Sequence, residues 1–549
     1  MMKLVLKISH LSLYIKVVLL LLVVASFLRM YRLGDVPHGM TWDEAAIGYN
    51  GYAVITARRD EWQTKLPVSF RSFGDYKAPL AIYTTGIFVT FLGSELVVVR
   101  LPFALAGILS VLGFILLTKE LGGMFGLKKS EAETISLLSG FLLTLSPWHV
   151  HFSRVGFESG MALCLVIWGI WAALSGLNSK RKYQLWLWII AASSLSLSFY
   201  AYHSSKIVAP LLLVLIGGYW FKKWLQQPIR ILTASSVGIL LTLPLAVDFI
   251  FGKGGERFSQ TSILNSSDNW FQIARQVMNN FLIHLSPSFL IGGLTDTLRH
   301  GDGSWGVLYV TTFSFCLLAV LSLIWSLVGR SSTIATKLAC FGILWVFIGL
   351  VPAAIGLDVP HSNRALLALP GFLILAGSGM LTLYTIAQKL DEKLKLTGSH
   401  NEKNLLTKSI AGTFFLLHIF LFIAYQKNYY TSFAFSSSSD FNDGYLEMFS
   451  YIIPYEKGLE GHKKTDKLIV SNEYGQAYIY ALFLRRTNPI WYQGGSLNTY
   501  LFTDHVNQSD VERPNTIVVA TPKTVLQLEP QKTIYGSDGK PRFFIYVNE

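Results

Sequence analysis

Largely uncharged apolar runs of about 20 residues recur along this chain, the length a helix needs to cross the hydrocarbon core of a bilayer. Eleven can be placed, at 12–29, 97–118, 134–148, 159–177, 183–200, 206–221, 231–250, 305–328, 336–355, 364–387 and 408–425. Only 14% of the residues are charged, against roughly 25% in an average soluble domain. That deficit excludes a soluble protein and predicts an α-helical polytopic membrane protein. The formal net charge is +13, but the Lys and Arg residues sit mainly in short loops between apolar runs. Orientation in a bilayer explains them, and nucleic acid is not implied. Cys164, Cys316 and Cys340 all fall inside apolar runs and read as core or lipid-facing residues, not as a disulfide or metal cluster. The first run is long for a signal-peptide core, and no small-x-small cleavage site follows it, so it is read as a retained span.

A twelfth run, PLAIYTTGIFVTFLG at 79–93, is short and contains Thr and Gly. Loop charge decides its fate. If it does not span and the N-terminus is cytoplasmic, the inner loops hold Lys119, Lys128 and Lys129, then Lys180, Arg181 and Lys182, then Lys222, Lys223 and Arg230, Arg330 and Lys337, and Lys389, Lys393, Lys395 and Lys403. If it did span, these basic loops would face outward, against the positive-inside rule. The run is therefore expected to be interfacial or re-entrant. Residues 30–96, 149–158, 200–205, 251–304 and 356–363 then share the outer face. Residues 391–408 read as a solvated inner loop. After the last span the composition turns polar, with strand-like LIVSN, NTIVVAT and RFFIYV and a helix-like run near EYGQAYIYALFLRR. Two parts are expected: a membrane part over 1–426, with outer loops 30–96 and 251–304, and a small extracytoplasmic α/β domain over 427–549.

Chemistry-bearing residues collect on the outer face. The first outer loop supplies Asp43, Glu44, Asp60, Glu61, Tyr76 and Lys77; SPWHVHFSRVGFESG supplies His149, His151, Arg154 and Glu158; FYAYHSSK supplies Tyr202 and His203; DVPHSNRALLALP supplies His361 and Arg364. A carboxylate can take a hydroxyl proton. Lys and Arg can hold a phosphate, one as a point charge and the other as a fork. Interfacial aromatics can lie along a sugar or a lipid tail. A sugar carried on a lipid phosphate calls on all three. Structural readings stand beside these. Thr41 with an acidic pair favours a helix N-terminus, Lys77 suits snorkelling to the headgroups, and Arg154 with Glu158 has the spacing of a helical ion pair. Asp60 and Glu61 read as an ordinary solvated pair. Two histidines at i,i+2 without a third ligand do not make a metal site.

TWDEAAIGYNGYAVITARRDEWQTKLP, FGDYKAPLAIYTTGIFVTFLG and VVVRLPFALAG, taken in order, resemble the first outer loop of the family-39-type glycosyltransferases of the GT-C fold. These are relatives of protein O-mannosyltransferases and of the lipid A aminoarabinose transferase. SPWHVHFSRVGFE and NRALLALP extend the resemblance to roughly residues 35–370. It implies a transferase that takes a sugar from a polyprenyl-phosphate donor, without a nucleotide sugar. The family's catalytic carboxylate falls on Asp43, with Glu44 beside it. Asp43 would deprotonate the acceptor hydroxyl, whose oxygen attacks the anomeric carbon with inversion as the lipid phosphate leaves. The family's phosphate-binding lysine falls on Lys77, with Arg154 and Arg364 as further phosphate partners. Tyr76, His151, Glu158, Tyr202, His203 and His361 would line the substrate site.

No cofactor is required by this reading; relatives differ in whether they need a divalent metal, which stays open although no ligand cluster in the sequence supports one. The expected partners are membrane lipids, the polyprenyl-phosphate sugar and an acceptor that is a protein, lipid or glycan. The expected location is a prokaryotic plasma membrane, with the site on the extracytoplasmic face. Ala45-Ala46-Ile47 replaces an Arg that follows the acidic pair in the aminoarabinose group, and Ala78-Pro79 replaces Pro-Pro. The sugar and acceptor therefore stay unassigned. A surface-glycan polymerase or ligase, and a membrane transporter of lipid-linked sugars, stand as alternatives.

Overall fold

The computed structural model describes residues 11–178, 183–265, 269–393, 405–492 and 497–548. The basic triplet Lys180, Arg181 and Lys182, and Lys395 and Lys403 of the inner loop, lie outside the described residues. Among the described residues nine helices are long and apolar enough to cross a membrane: Leu13–Met30, Leu96–Met124, Glu158–Asn178, Gln184–Ala201, Pro228–Phe251, Val310–Val328, Ile334–Ala354, Ser362–Lys393 and Leu405–Ser436. The two other predicted runs are the shorter helices Lys129–Leu145 and Ser205–Tyr219. The 79–93 run forms Pro79–Leu92, a helix of 14 residues. At 1.5 Å per residue it is about 21 Å long, too short for a hydrocarbon core of about 30 Å. The 251–304 segment differs from the expected loop. It contains the helices Glu256–Thr261, Trp270–Leu285 and Pro287–Leu290. Trp270, Phe271, Met278 and Leu282 of the longest are exposed, which gives it an apolar face of its own.

The chain divides into two compact units. One holds residues 1–31, 103–153 and 157–427 and packs its helices around a continuous apolar core that includes Phe114, Ile167, Phe341, Trp345 and Leu373. The other joins residues 32–102, 154–156 and 428–549. The first outer segment and the C-terminal domain thus share one core, in which Met40, Ala45, Tyr49 and Val99 pack with Tyr445, Phe449, Tyr480 and Phe483.

In that second unit, β1 (Phe70–Ser72) and β2 (Asp75–Lys77) form an antiparallel hairpin in which Ser72 faces Asp75 across a two-residue turn. Phe73 and Gly74 both have positive φ, 53° and 82°, as a type I′ turn requires. The C-terminal sheet contains β3 (Lys467–Ser471), β4 (Tyr500–Thr503), β5 (Thr516–Ala520), β6 (Lys532–Tyr535) and β7 (Pro541–Asn548), in the order β4-β3-β5-β7-β6. β3 pairs in parallel with β4 and β5, while β7 runs antiparallel to β5 and β6. The helix Ala477–Leu484 follows β3.

The helices Trp42–Ala57 and Pro79–Leu92 cross backbone to backbone. A Cβ placed on Gly51 would stand 2.6 Å from the Ile82 carbonyl oxygen, and one on Gly86 would stand 2.3 Å from that of Gly51. Only glycine fits at either position. Gly86→Ala or Gly51→Ala is expected to cost about 1–3 kcal/mol through overpacking, read as a lowered midpoint in thermal unfolding of the solubilised protein.

Candidate active site

The helix Trp42–Ala57 begins with a capping box. Thr41 Oγ1 accepts from the Glu44 amide at 3.1 Å, and Glu44 Oε2 accepts from the Thr41 amide at 3.0 Å. Successive residues on a helix point about 100° apart, so the two acids meet different surroundings. Glu44 is 1% exposed. Its Oε1 accepts from Arg100 Nε at 2.7 Å and from the Gly156 amide at 3.0 Å. Arg100, fully buried, spreads its other donors over the carbonyls of Leu33, Pro37 and Gly39 and over Glu44 Oε2. Glu44 is therefore held as a structural anchor. Arg100 stands outside the residues expected in the site, although an Arg inside the apolar run VVVRLP signals a buried partner.

Asp43 keeps 26% of its side chain exposed and is ion-paired to Lys77 Nζ, whose side chain is 10% exposed. The two are 34 residues apart in sequence. The hairpin delivers Lys77 at the end of β2, while Tyr76, one residue earlier, points to the opposite face of the strand. The two residues with the most specific expected roles, base and phosphate partner, thus meet.

Arg154 lies elsewhere in the same unit. It is fully buried, donates to the carbonyls of Arg32 and Val36 at 3.2 and 3.0 Å, and lies over the rings of Tyr429 and Tyr430. Its helical pairing with Glu158 is not available. One short helix ends at Phe152 and the next begins at Glu158, which sits in a helix's first turn where a carboxylate complements the dipole.

Asp60 and Glu61 depart from the expected solvated pair: both are buried, at 1% and 0% exposure. Asp60 Oδ1 accepts from the amides of Trp62 and Thr64 and so closes a turn. Glu61 exchanges hydrogen bonds with the Asn50 side chain at 3.1 and 3.0 Å. Burial pushes its carboxyl up to about 7, against the pull of Asn50. Nothing in RRDEW marks this burial, because the partners lie on another element.

The remaining expected residues belong to the other unit. Tyr202 and His203 line a cavity of about 250 Å³ together with Lys206, Thr261, Ser262 and Arg364, and with the apolar walls Ile207, Phe249, Pro352 and Ile355. Lys206 Nζ lies 3.3 Å from His203 Nδ1, and Arg364 donates to Asp358 at 3.2 Å. Lys206 was not singled out in the sequence, though it ends the FYAYHSSK stretch. His151 Nε2 donates to the Arg299 carbonyl at 2.8 Å. His149 Nδ1 accepts from Arg29 at 2.6 Å, and burial with that cation holds the imidazole well below its usual range. The two rings thus face different partners.

His361 caps the short helix Ser362–Ala365, and its ring stacks on His300 at 4.3 Å. His300 Nδ1 in turn lies 2.9 Å from both oxygens of Asp296. Asp296, His300 and His361 could together offer three metal ligands, with their atoms within 4.8 Å of one another. No sequence spacing marks this cluster, because His361 comes from a loop remote from Asp296 and His300.

No protein-family model matches the chain, and no curated protein does. Solved structures do. The chain is similar to ArnT from Cupriavidus metallidurans bound to undecaprenyl phosphate, at 13% identity and a TM-score of 0.52, with 97% of each chain covered. It is also similar to the apo Archaeoglobus fulgidus oligosaccharyltransferase, at 12% identity and a TM-score of 0.54, covering 93% of this chain and 69% of that one. A third likeness is to the oligosaccharyltransferase AglB of Archaeoglobus fulgidus in complex with an inhibitory peptide and a dolichol-phosphate, at 12% identity, a TM-score of 0.50, and 86% and 63% coverage. The chain has the GT-C fold expected from its motifs, with a small C-terminal sheet domain.

Two stability measurements separate the acids. Glu44→Gln leaves the buried Arg100 without its counter-charge and is expected to cost about 3 kcal/mol or more, whereas Asp43→Asn, on a carboxylate 26% exposed to water, is expected to cost less although Lys77 keeps only a neutral partner. Unfolding midpoints of the two variants check this contrast. Glu61 titrates higher folded than unfolded, so the unfolded chain gives up its proton first as pH rises. Its contribution is expected to make the protein less stable by up to about 3 kcal/mol between about pH 4.5 and 7, and Glu61→Gln is expected to remove that slope from midpoints measured across this range.

Proposed function

We propose that the protein is a membrane glycosyltransferase that moves a sugar from a polyprenyl-phosphate donor to an acceptor hydroxyl with inversion. The observation that carries this reading is the Asp43–Lys77 pair. A helix cap needs no lysine delivered from a separate hairpin. A base that works beside a departing phosphate needs such a cation. The known binding of undecaprenyl phosphate by ArnT and of dolichol-phosphate by AglB supports a lipid-phosphate donor.

Lys77 holds the donor phosphate by charge-assisted hydrogen bonding. Asp43 accepts the proton of the acceptor hydroxyl, the acceptor oxygen bonds to the anomeric carbon, and the bond from that carbon to the phosphate oxygen breaks. The pair of electrons leaves with the phosphate, where Lys77 offsets the growing charge. Glu44 and Arg100 act as positioning residues for Asp43. The positive-inside pattern supports an extracytoplasmic site. A ligase that moves a whole oligosaccharide is the second reading, favoured by the likeness to the archaeal oligosaccharyltransferase.

The test is transfer by purified protein in lipid, with a panel of radiolabelled polyprenyl-linked single sugars and oligosaccharides. Wild type is expected to release label from a single-sugar carrier. Asp43→Asn is expected to lose at least about a hundredfold in kcat, and Lys77→Ala to lose about ten- to a hundredfold in kcat/KM. Turnover of oligosaccharide donors alone would favour the ligase. Unimpaired Asp43→Asn would sink the base assignment.

A further inference from the structure

We propose that the C-terminal domain is part of the catalytic apparatus, with Tyr480 as the positioning residue that fixes the first turn of the Trp42–Ala57 helix and so the Asp43 carboxylate. The inference rests on the reading of Asp43 as the base. Tyr480 lies on the Ala477–Leu484 helix and is fully buried. Its hydroxyl donates to the Met40 carbonyl at 2.7 Å. Met40 directly precedes Thr41, the cap of the helix that carries Asp43. Arg100 already holds the carbonyls of Pro37 and Gly39, each at 2.9 Å. Tyr480 therefore pins the next carbonyl in a segment that has no regular hydrogen bonding of its own.

The Tyr480 ring is held as firmly as its hydroxyl. It stacks on Tyr445 with centroids 4.3 Å apart and planes within 4°. Further along, Gly48 makes room for Phe483, since a Cβ there would stand 2.5 Å from its ring. The Tyr49 hydroxyl donates to the Thr487 carbonyl at 3.2 Å. The contact therefore runs from the cap through the second turn of the catalytic helix. Space filling alone would be met by phenylalanine. A buried phenol is costly unless its hydroxyl is bonded, so the hydroxyl at position 480 points to a demand on the Met40 carbonyl. Reacting groups displaced by about 1 Å lose on the order of a hundredfold in rate, and the cap sets where Asp43 stands.

Tyr480→Phe keeps the ring and removes only the bond. With the lipid-linked donor it is expected to lower kcat about tenfold at an unchanged donor KM, with the unfolding midpoint lowered by the loss of one buried hydrogen bond. The acid limb of its pH–rate profile is expected to move to higher pH as the Asp43–Lys77 pair loosens. Val470→Ala, on β3 in the same core, serves as the packing control, expected to lower the midpoint without moving that limb. Wild-type kcat and an unmoved limb in Tyr480→Phe would overturn the proposal. Amide hydrogen exchange of residues 41–46 reads the positioning without turnover. Faster exchange in Tyr480→Phe shows that Tyr480 fixes the first turn; if wild type then transfers no label, it is the proposed function that fails and not the positioning. Unchanged exchange overturns it whatever the activity.

Discussion

The buried ion pair between Glu44 and Arg100 is the constraint on which the second unit is built. Two charges removed from water cost several kcal/mol each unless every lone pair and proton finds a partner. Here the carboxylate also serves the Thr41 cap and the Gly156 amide, and the guanidinium also serves three carbonyls of the incoming chain. Three segments distant in sequence are thereby fixed to one point. Its neighbour Asp43 is left outside this network, partly exposed and facing a lysine. One acid of the pair builds the site, and the other stands at its surface.

The second unit shows why the C-terminal domain belongs with the first outer segment. The helix that carries Asp43 contains Ala45, Ala46, Gly48 and Gly51, too small to bury itself against water alone. Large partners come from the C-terminal side, where Tyr445, Phe449, Tyr480 and Phe483 close the same core. On the opposite flank the Pro79–Leu92 helix approaches at Gly51. The small residues of WDEAAIGYNG thus make a helix that is gripped from two directions.

Much of this was legible from composition and order. Apolar runs located the nine long helices, because length and hydropathy are local properties. LIVSN, NTIVVAT and RFFIYV each coincide with a strand, while the half-exposed edge strands β4 and β6 carried no comparable apolar run. Asp43 and Lys77 were visible through an ordered set of motifs, and the structure pairs them. What the sequence hid is pairing across distance. Arg100 looks like one more cation at a span's edge, and only its partner gives it a role. Glu61 looks solvated because its burial comes from Asn50 and from the tyrosines around it. His300 and His361 stack although 61 residues separate them in sequence. The 251–304 segment was read as a loop because its longest helix alternates apolar and polar residues, with no apolar run of spanning length.

The Gly51–Gly86 crossing carries a consequence for the setting in which such a protein works. Side chains between packed helices act as adjustable shims, and they shift rotamer when a bilayer thins, thickens or warms. Two backbones in direct contact leave no shim to adjust. The helix that follows Lys77 and the helix that begins beside Asp43 are therefore clamped at a separation that lipid composition cannot tune, which insulates the spacing of the acid and the lysine from the changing solvent around them.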